Sequence, residues 1–414
     1  MVTIRHVLRG LLAASVLALL PLQGPAWAAA SHPAPASAPG HGWTGTWEAA
    51  ASGTVPALPG QSIRNVVHTS VGGHAVRVRV TNRLGTAPLQ LTSVTVALQE
   101  SGAPKSAGAR AGTMRTATFR HTASVTVPAG EDAVSDPVPL RVAPDANLLV
   151  TLYTPADSGP ATYHHSALQT SFLAPDGDHT AEESGAAYTA TTSSWYYVTG
   201  VDVLGAPAAG SVVALGDSIT DGSGSTSSAN RRWPDRLAAR LRALPPQRRL
   251  GVLNAGIAGN RVLLDGTGPS ALSRLDADVF SRSGVRAVVL MEGINDIKGN
   301  PNQTDPAAFE DAYRRIVERA HARGIRVIGG TITPFGGNGN YTEAREAVRQ
   351  SVNGFIRDGG LFDGVADFDA AVRDPAAPDR SLPAYDSGDH LHFNDAGLQA
   401  MADAIDLRDL RPAR

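Results

Sequence analysis

The hydrophobic pattern changes period once along this chain, near residue 204, and that change constrains the fold more than any other feature. From Trp43 to about Asp202 apolar residues recur at every second position. Ala75-Val76-Arg77-Val78-Arg79-Val80 alternates apolar and cationic side chains, and Val94, Val96 and Leu98 alternate with Thr95 and Ala97. Val125/Val127 and Leu148/Val150/Leu152 repeat the theme. Successive side chains of a strand point to opposite faces, so such runs read as strands with one buried face. Gly72-Gly73, Pro128 to Gly130, Pro144-Asp145 and Pro175 to Gly177 separate them. Short alternating runs with Gly/Pro punctuation predict an antiparallel, jelly-roll-like β-sandwich over residues 42–203.

From Ser211 the pattern is different. Val212 to Leu215, Gly251 to Leu253, Val285 to Leu290 and Ile325 to Ile328 are short continuous apolar runs. Between them, Trp233, Leu237, Leu241 and Leu244 recur at helical spacing, as do Phe309, Tyr313, Ile316, Val317 and Ala320. Apolar strands alternating with amphipathic helices predict a parallel sheet covered on both faces. Residues 211–414 therefore read as a doubly wound α/β domain, with a small-residue linker at 204–210. A chain of 414 residues has room for both.

Composition excludes several functions. The formal net charge of −2 argues against a nucleic-acid binder, which normally carries a basic excess. No cysteine is present, which removes a disulfide framework, a thiol nucleophile and a thiolate metal site together. Residues 1–28 read as a secretory signal: Arg5, His6 and Arg9, an apolar run from Gly10 to Leu22, then Ala26-Trp27-Ala28. The apolar run is shorter than the roughly 20 residues a membrane span needs. The expectation is a secreted protein, cleaved near Ala28 and not inserted in a membrane, with a Pro/Ala/Ser-rich leader at 29–41.

Ligands of open α/β sheets bind outside the carboxyl ends of the strands, so the residues following each strand are the candidates. Gly216-Asp217-Ser218-Ile219-Thr220 follows the first strand and offers a serine hydroxyl. The second is followed by a segment containing Gly259, a candidate backbone N–H donor, and the third by Glu292-Gly293-Ile294-Asn295-Asp296, where the Asn295 amide is a neutral donor suited to an oxyanion. Near the C-terminus, Asp389 and His392 stand three apart before a final helix. A carboxylate there can hold the imidazole tautomer. Alone, each segment favours the plainer reading as a turn or a helix cap. Together they supply a nucleophile, two donors beside the serine's own N–H, and a base with its orienter, which is what acyl transfer requires. His390 and His392 raise the question of a metal, but no further ligand-spaced cluster accompanies them, so His390 reads as a solvated loop histidine.

In these segments the sequence resembles the SGNH hydrolases, also called the GDSL esterase/lipase family. Gly216-Asp217-Ser218-Ile219-Thr220 matches the first family block, Gly259 the second, Gly293 to Asp296 the third, and Asp389 to His392 the fifth, over about 200 residues. Phe393 stands where many members have proline. The resemblance implies a flavodoxin-like three-layer α/β/α domain. It also implies a Ser218–His392–Asp389 triad, an oxyanion hole from Ser218, Gly259 and Asn295, and no metal or organic cofactor. The expected substrate is a carboxylic ester with a short acyl group, such as an O-acetyl group on a polysaccharide. A lipase or phospholipase acting on longer chains is the alternative, and a carbohydrate-binding protein with a vestigial site is a third reading. The aromatics Trp43, Trp47, Tyr163 and Trp195 to Tyr197 suit either sugar stacking or core packing.

Overall fold

The computed structural model describes residues 42–100 and 105–411; the expected signal and leader lie outside them. The first half is built of antiparallel strands. Those used below are β1 (Trp43–Glu48), β2 (Gln61–His68), β3 (Ala75–Thr81), β4 (Ser93–Leu98), β5 (Asp132–Val134), β6 (Asn147–Thr154), β7 (Ser171–Ala174), β8 (Ala190–Thr192) and β9 (Val198–Leu204). One sheet has the order β1-β9-β3-β5. A second runs β8-β7-β2-β6-β4 and ends on the short strand Arg115–Thr116. The inward residues of the alternating runs meet between the sheets: Val76, Val78 and Val80 from β3 pack with Ile63, Val94, Val96, Val150 and Leu152. Most of the aromatics belong to this core. Trp47, Trp195 and Tyr197 are buried, and the Trp47 and Trp195 rings meet edge to face at 5.0 Å.

The second half opens with β10 (Ser211–Gly216) and continues through β11 (Gly251–Gly256), β12 (Val285–Met291), β13 (Arg326–Gly330) and β14 (Gly364–Ala366). These strands are parallel, in the order β11-β10-β12-β13-β14. That 2-1-3-4-5 order is the flavodoxin-like one. Neighbouring residues of each strand feed opposite layers. Val213, Leu215, Val288, Leu290 and Val327 pack under α5 (Pro306–His321) and α6 (Glu343–Asp358). Val212, Ala214, Ala287, Val289 and Ile328 pack under α2 (Trp233–Arg242) and α8 (Asp395–Asp403). The α/β/α domain expected from the second half is thus present.

The alternation in β3 has a meaning the sequence does not disclose. A polar strand face ordinarily meets water. Here it meets the α/β half. Arg77 donates to Asp202 at 2.8 Å and to Ser283 Oγ at 2.9 Å, while Arg79 donates to the Ser281 carbonyl at 3.1 Å. Nearby, Arg83 pairs with the buried Asp278 at 2.8 Å, and Arg282 Nε lies 2.7 Å from Glu48 Oε1.

β11 is an edge strand of the parallel sheet and therefore presents unpaired backbone groups. The antiparallel half covers them. Ser70 Oγ accepts the Val252 N–H at 2.9 Å, and its single hydrogen has the Thr46 carbonyl at 2.7 Å and the Val252 carbonyl at 3.2 Å within reach. Beside it β1 lies so close that a Cβ on Gly251 would stand 2.0 Å from the Gly45 carbonyl oxygen. Gly251→Ala is therefore expected to cost about 1–3 kcal/mol, the usual range for overpacking, read as a lowered urea midpoint with unchanged slope.

Candidate active site

The site forms at the carboxyl ends of β10, β11 and β12, where the strand order reverses on either side of β10. β10 ends at Gly216. Asp217 caps the short helix α1 (Ser218–Asp221), its carboxylate accepting the Ile219 N–H at 2.9 Å. Ser218 is thereby the first residue of a helix, where backbone N–H groups have no intrahelical partner. Burial raises the Asp217 carboxyl to about 6, against the opposing pull of the Ile219 N–H and the His392 charge. Burial likewise raises Glu292, which closes on the same region from the end of β12, and the Asp217 charge adds to that shift.

The histidine loop is shaped by local carboxylates. Asp386 Oδ1 accepts the N–H groups of Gly388 and His390, at 2.8 and 3.1 Å. Asp389 Oδ1 accepts those of Leu391 and His392, at 3.1 and 2.9 Å. The second turn leaves Asp389 Oδ2 free to meet His392 Nδ1 at 2.6 Å, and His392 Nε2 lies 2.8 Å from Ser218 Oγ. Burial acts to raise the Asp389 carboxyl, but the backbone N–H, ring N–H and charge of His392 outweigh it and hold Asp389 at about 2. The carboxylate is ionised at neutral pH and fixes the proton of His392 on Nδ1. Nε2 then faces the serine as an acceptor. His390 is exposed, as expected of a loop histidine, but it is not without a partner: Nδ1 lies 2.5 Å from Asp386. Phe393, in the place of the family's usual proline, is fully buried against the α2/α8 layer.

Gly259 and Asn295 come together through the residue between them in space. Asn295, in α4 (Ile294–Lys298), donates one amide hydrogen to the Asn260 carbonyl at 2.8 Å. The second amide hydrogen remains for a ligand. Gly259 has φ +83°, a conformation that favours glycine, and its N–H makes no hydrogen bond among the described residues. The segment after it is pinned by Asp296, whose two oxygens accept the Val262 and Leu263 N–H groups at 2.9 and 3.0 Å.

Three supporting side chains escape a reading of strand ends. Arg274 is buried and donates to the Gly216 carbonyl at 3.0 Å, the Ala255 carbonyl at 2.6 Å and Asn260 Oδ1 at 3.0 Å. It ties together the ends of β10 and β11 and the turn beyond. Its signal in the sequence is a lone arginine between Ala271 and Leu275, with Asp278 four residues on. Asn338 donates to the Asp389 carbonyl at 3.0 Å from the Gly/Asn-rich loop. Asp221 accepts the Ala258 N–H at 3.0 Å. Among the described residues no group of His, Asp and Glu side chains is arranged to hold a metal ion, and no helix is long and apolar enough to cross a membrane.

Residues 214–400 match the model of the GDSL-like lipase/acylhydrolase family. No curated protein matches the chain. Among solved structures, the chain is similar to a lipolytic protein of the G-D-S-L family from Desulfitobacterium hafniense, with 20% identity and a TM-score of 0.37, covering 47% of this chain and 96% of that one. It is similar to an acetyl xylan esterase at 22% identity and a TM-score of 0.36, covering 47% and 96%. It is also similar to the Mycobacterium smegmatis aryl esterase at 18% identity and a TM-score of 0.38, covering 47% and 94%. The α/β half of the chain, at residues 214–400, belongs to the GDSL-like lipase/acylhydrolase family, and through it the chain is a carboxylic ester hydrolase.

Proposed function

We propose that the protein is a secreted serine esterase acting on short acyl esters, O-acetyl groups of polysaccharides among them, through Ser218, His392 and Asp389. The observation that carries this reading is the continuous hydrogen-bonded series from Ser218 Oγ through the two ring nitrogens of His392 to Asp389. Ser218 Oγ attacks the ester carbonyl while His392 Nε2 takes its proton. Asp389 stabilises the resulting imidazolium. The negative charge on the former carbonyl oxygen is met by the N–H groups of Ser218 and Gly259 and by the Asn295 amide. His392 returns the proton to the leaving alcohol. Water then attacks the acyl-enzyme by the same route in reverse, with His392 again the base. No step calls on a metal or an organic cofactor.

The surface supports the reading of short acyl groups. A long acyl chain needs apolar surface to lie on. Among the described residues the one exposed large hydrophobic side chain is Leu264. The loop from Thr333 to Asn340 ends in glycines and asparagines: half-buried Asn338 donates to the Asp389 carbonyl and Asn340 is exposed. Export is supported by the basic start, apolar run and Ala26-Trp27-Ala28 of the sequence.

Ser218→Ala is expected to abolish hydrolysis of p-nitrophenyl acetate; wild-type rates in that variant would remove the mechanism. Asn295→Ala is expected to lower kcat by ~10²–10³, the usual effect of one lost oxyanion donor. Across a series of p-nitrophenyl esters, activity should fall as the acyl chain lengthens. A steady rise beyond eight carbons would favour a lipase.

A further inference from the structure

His164 closes the strand Ala161–His164 in the antiparallel half, outside every block that carries the family match. Its side chain is 3% exposed, as is that of Asp221 in the α/β half. The ring is held against Trp195, with centroids 5.4 Å apart. Nδ1 lies 2.8 Å from the Ala50 carbonyl oxygen, which can only accept, so Nδ1 carries a proton. Nε2 lies 3.0 Å from Asp221 Oδ1. The other carboxyl oxygen, Oδ2, accepts the Ala258 N–H at 3.0 Å. With Nδ1 protonated, Nε2 faces a carboxyl oxygen whose fellow oxygen already accepts an N–H, an arrangement that suits an imidazolium–carboxylate pair. Burial works against the ring charge, yet the Asp221 charge and hydrogen bond carry the His164 pKa upward.

Asp221 sits between two parts of the proposed machinery. It ends α1, whose first residue is Ser218, and its own N–H donates to the Asp217 carbonyl at 2.8 Å. The residue it grips on the other side, Ala258, immediately precedes Gly259. One carboxylate therefore spans from the nucleophile's helix to the oxyanion turn. Without a donor at Oδ1, that buried oxygen is left unsatisfied and the carboxyl turns to find another partner. Such a turn displaces the acceptor that holds Ala258.

We propose that His164, as the imidazolium, is a positioning residue for ester hydrolysis: it holds the Asp221 carboxyl oriented, so that the Gly259 N–H is set relative to Ser218 for the oxyanion. The antiparallel half thus completes the catalytic geometry of the other. This inference rests on the roles of Ser218 and Gly259 given above. Those roles fail separately, through an active Ser218→Ala protein.

The experiment compares wild type, His164→Ala and His164→Gln, with active sites counted by titration with an organophosphate that phosphorylates serine. On p-nitrophenyl acetate, His164→Ala should lower kcat per titrated site by ~10–10²-fold, the cost of a small displacement at a reacting centre, with KM within about threefold of wild type. Binding of phenylboronic acid should weaken by the same factor as kcat, because its tetrahedral serine adduct places negative charge where the oxyanion forms. His164→Gln retains an N–H donor for Asp221 and should fall between the two. A merely structural role would reduce the number of titrated sites and leave kcat and boronic acid binding per site unchanged, which would overturn the proposal. Should neither variant fold, nitrogen NMR of the wild-type histidine rings decides it. His164 protonated on both nitrogens at neutral pH supports the proposal, and a neutral ring overturns it.

Discussion

The free edge of the parallel sheet is the constraint on which the structure depends. A parallel sheet needs cover on both faces, and helices supply it here, but an edge strand keeps a row of backbone groups that helices on the faces cannot reach. β11 is such an edge, and it also carries the turn with Gly259. The Ser70 hydroxyl accepts the Val252 N–H, and the close approach of β1 at Gly251 excludes anything larger than hydrogen. The strand that presents the oxyanion turn is thus held from outside its own domain. Its inner side is held by Arg274, through the carbonyls of Gly216 and Ala255. Between these two restraints the spacing of nucleophile and turn has little freedom to drift.

Much of the architecture was legible in the sequence, for identifiable reasons. The change of period at residue 204 reports side-chain polarity at positions whose facing is dictated by strand and helix geometry. The rule that ligands meet an open sheet at its carboxyl ends then led to Ser218, Gly259 and Asn295 without knowledge of the strand order. The structure places these three at adjoining strand ends. Asp389 and His392 were legible because their interaction is local, a carboxylate accepting N–H groups two and three residues on.

What was not legible is long-range. Arg77 and Arg79 occupy the polar phase of an alternating strand, and a pattern of that kind records that a face is polar without recording what it meets. His164 stands 57 residues from Asp221 in the chain, with nothing local to link them. Arg274 looks like an interruption of an apolar helical face, and only the fold shows three acceptors converging on it. Each is a buried polar group whose partners are gathered by tertiary structure. Such groups cost free energy when left alone, so their partners have to be supplied by the fold as a whole.

The arginines of β3 and its surroundings bear on how a protein of this kind can be recombined. Arg77, Arg79 and Arg83 find their partners partly in their own half and partly at Ser281, Ser283 and Asp278 of the other. An exchange of antiparallel halves between two related chains would leave Asp278 buried without Arg83 unless the matching arginine came with it. The segment between Leu204 and Ser211 resembles a place to cut and splice, but the unit that can be inherited intact runs across it. In such proteins the two halves are expected to diverge together, position against position, along this charged seam.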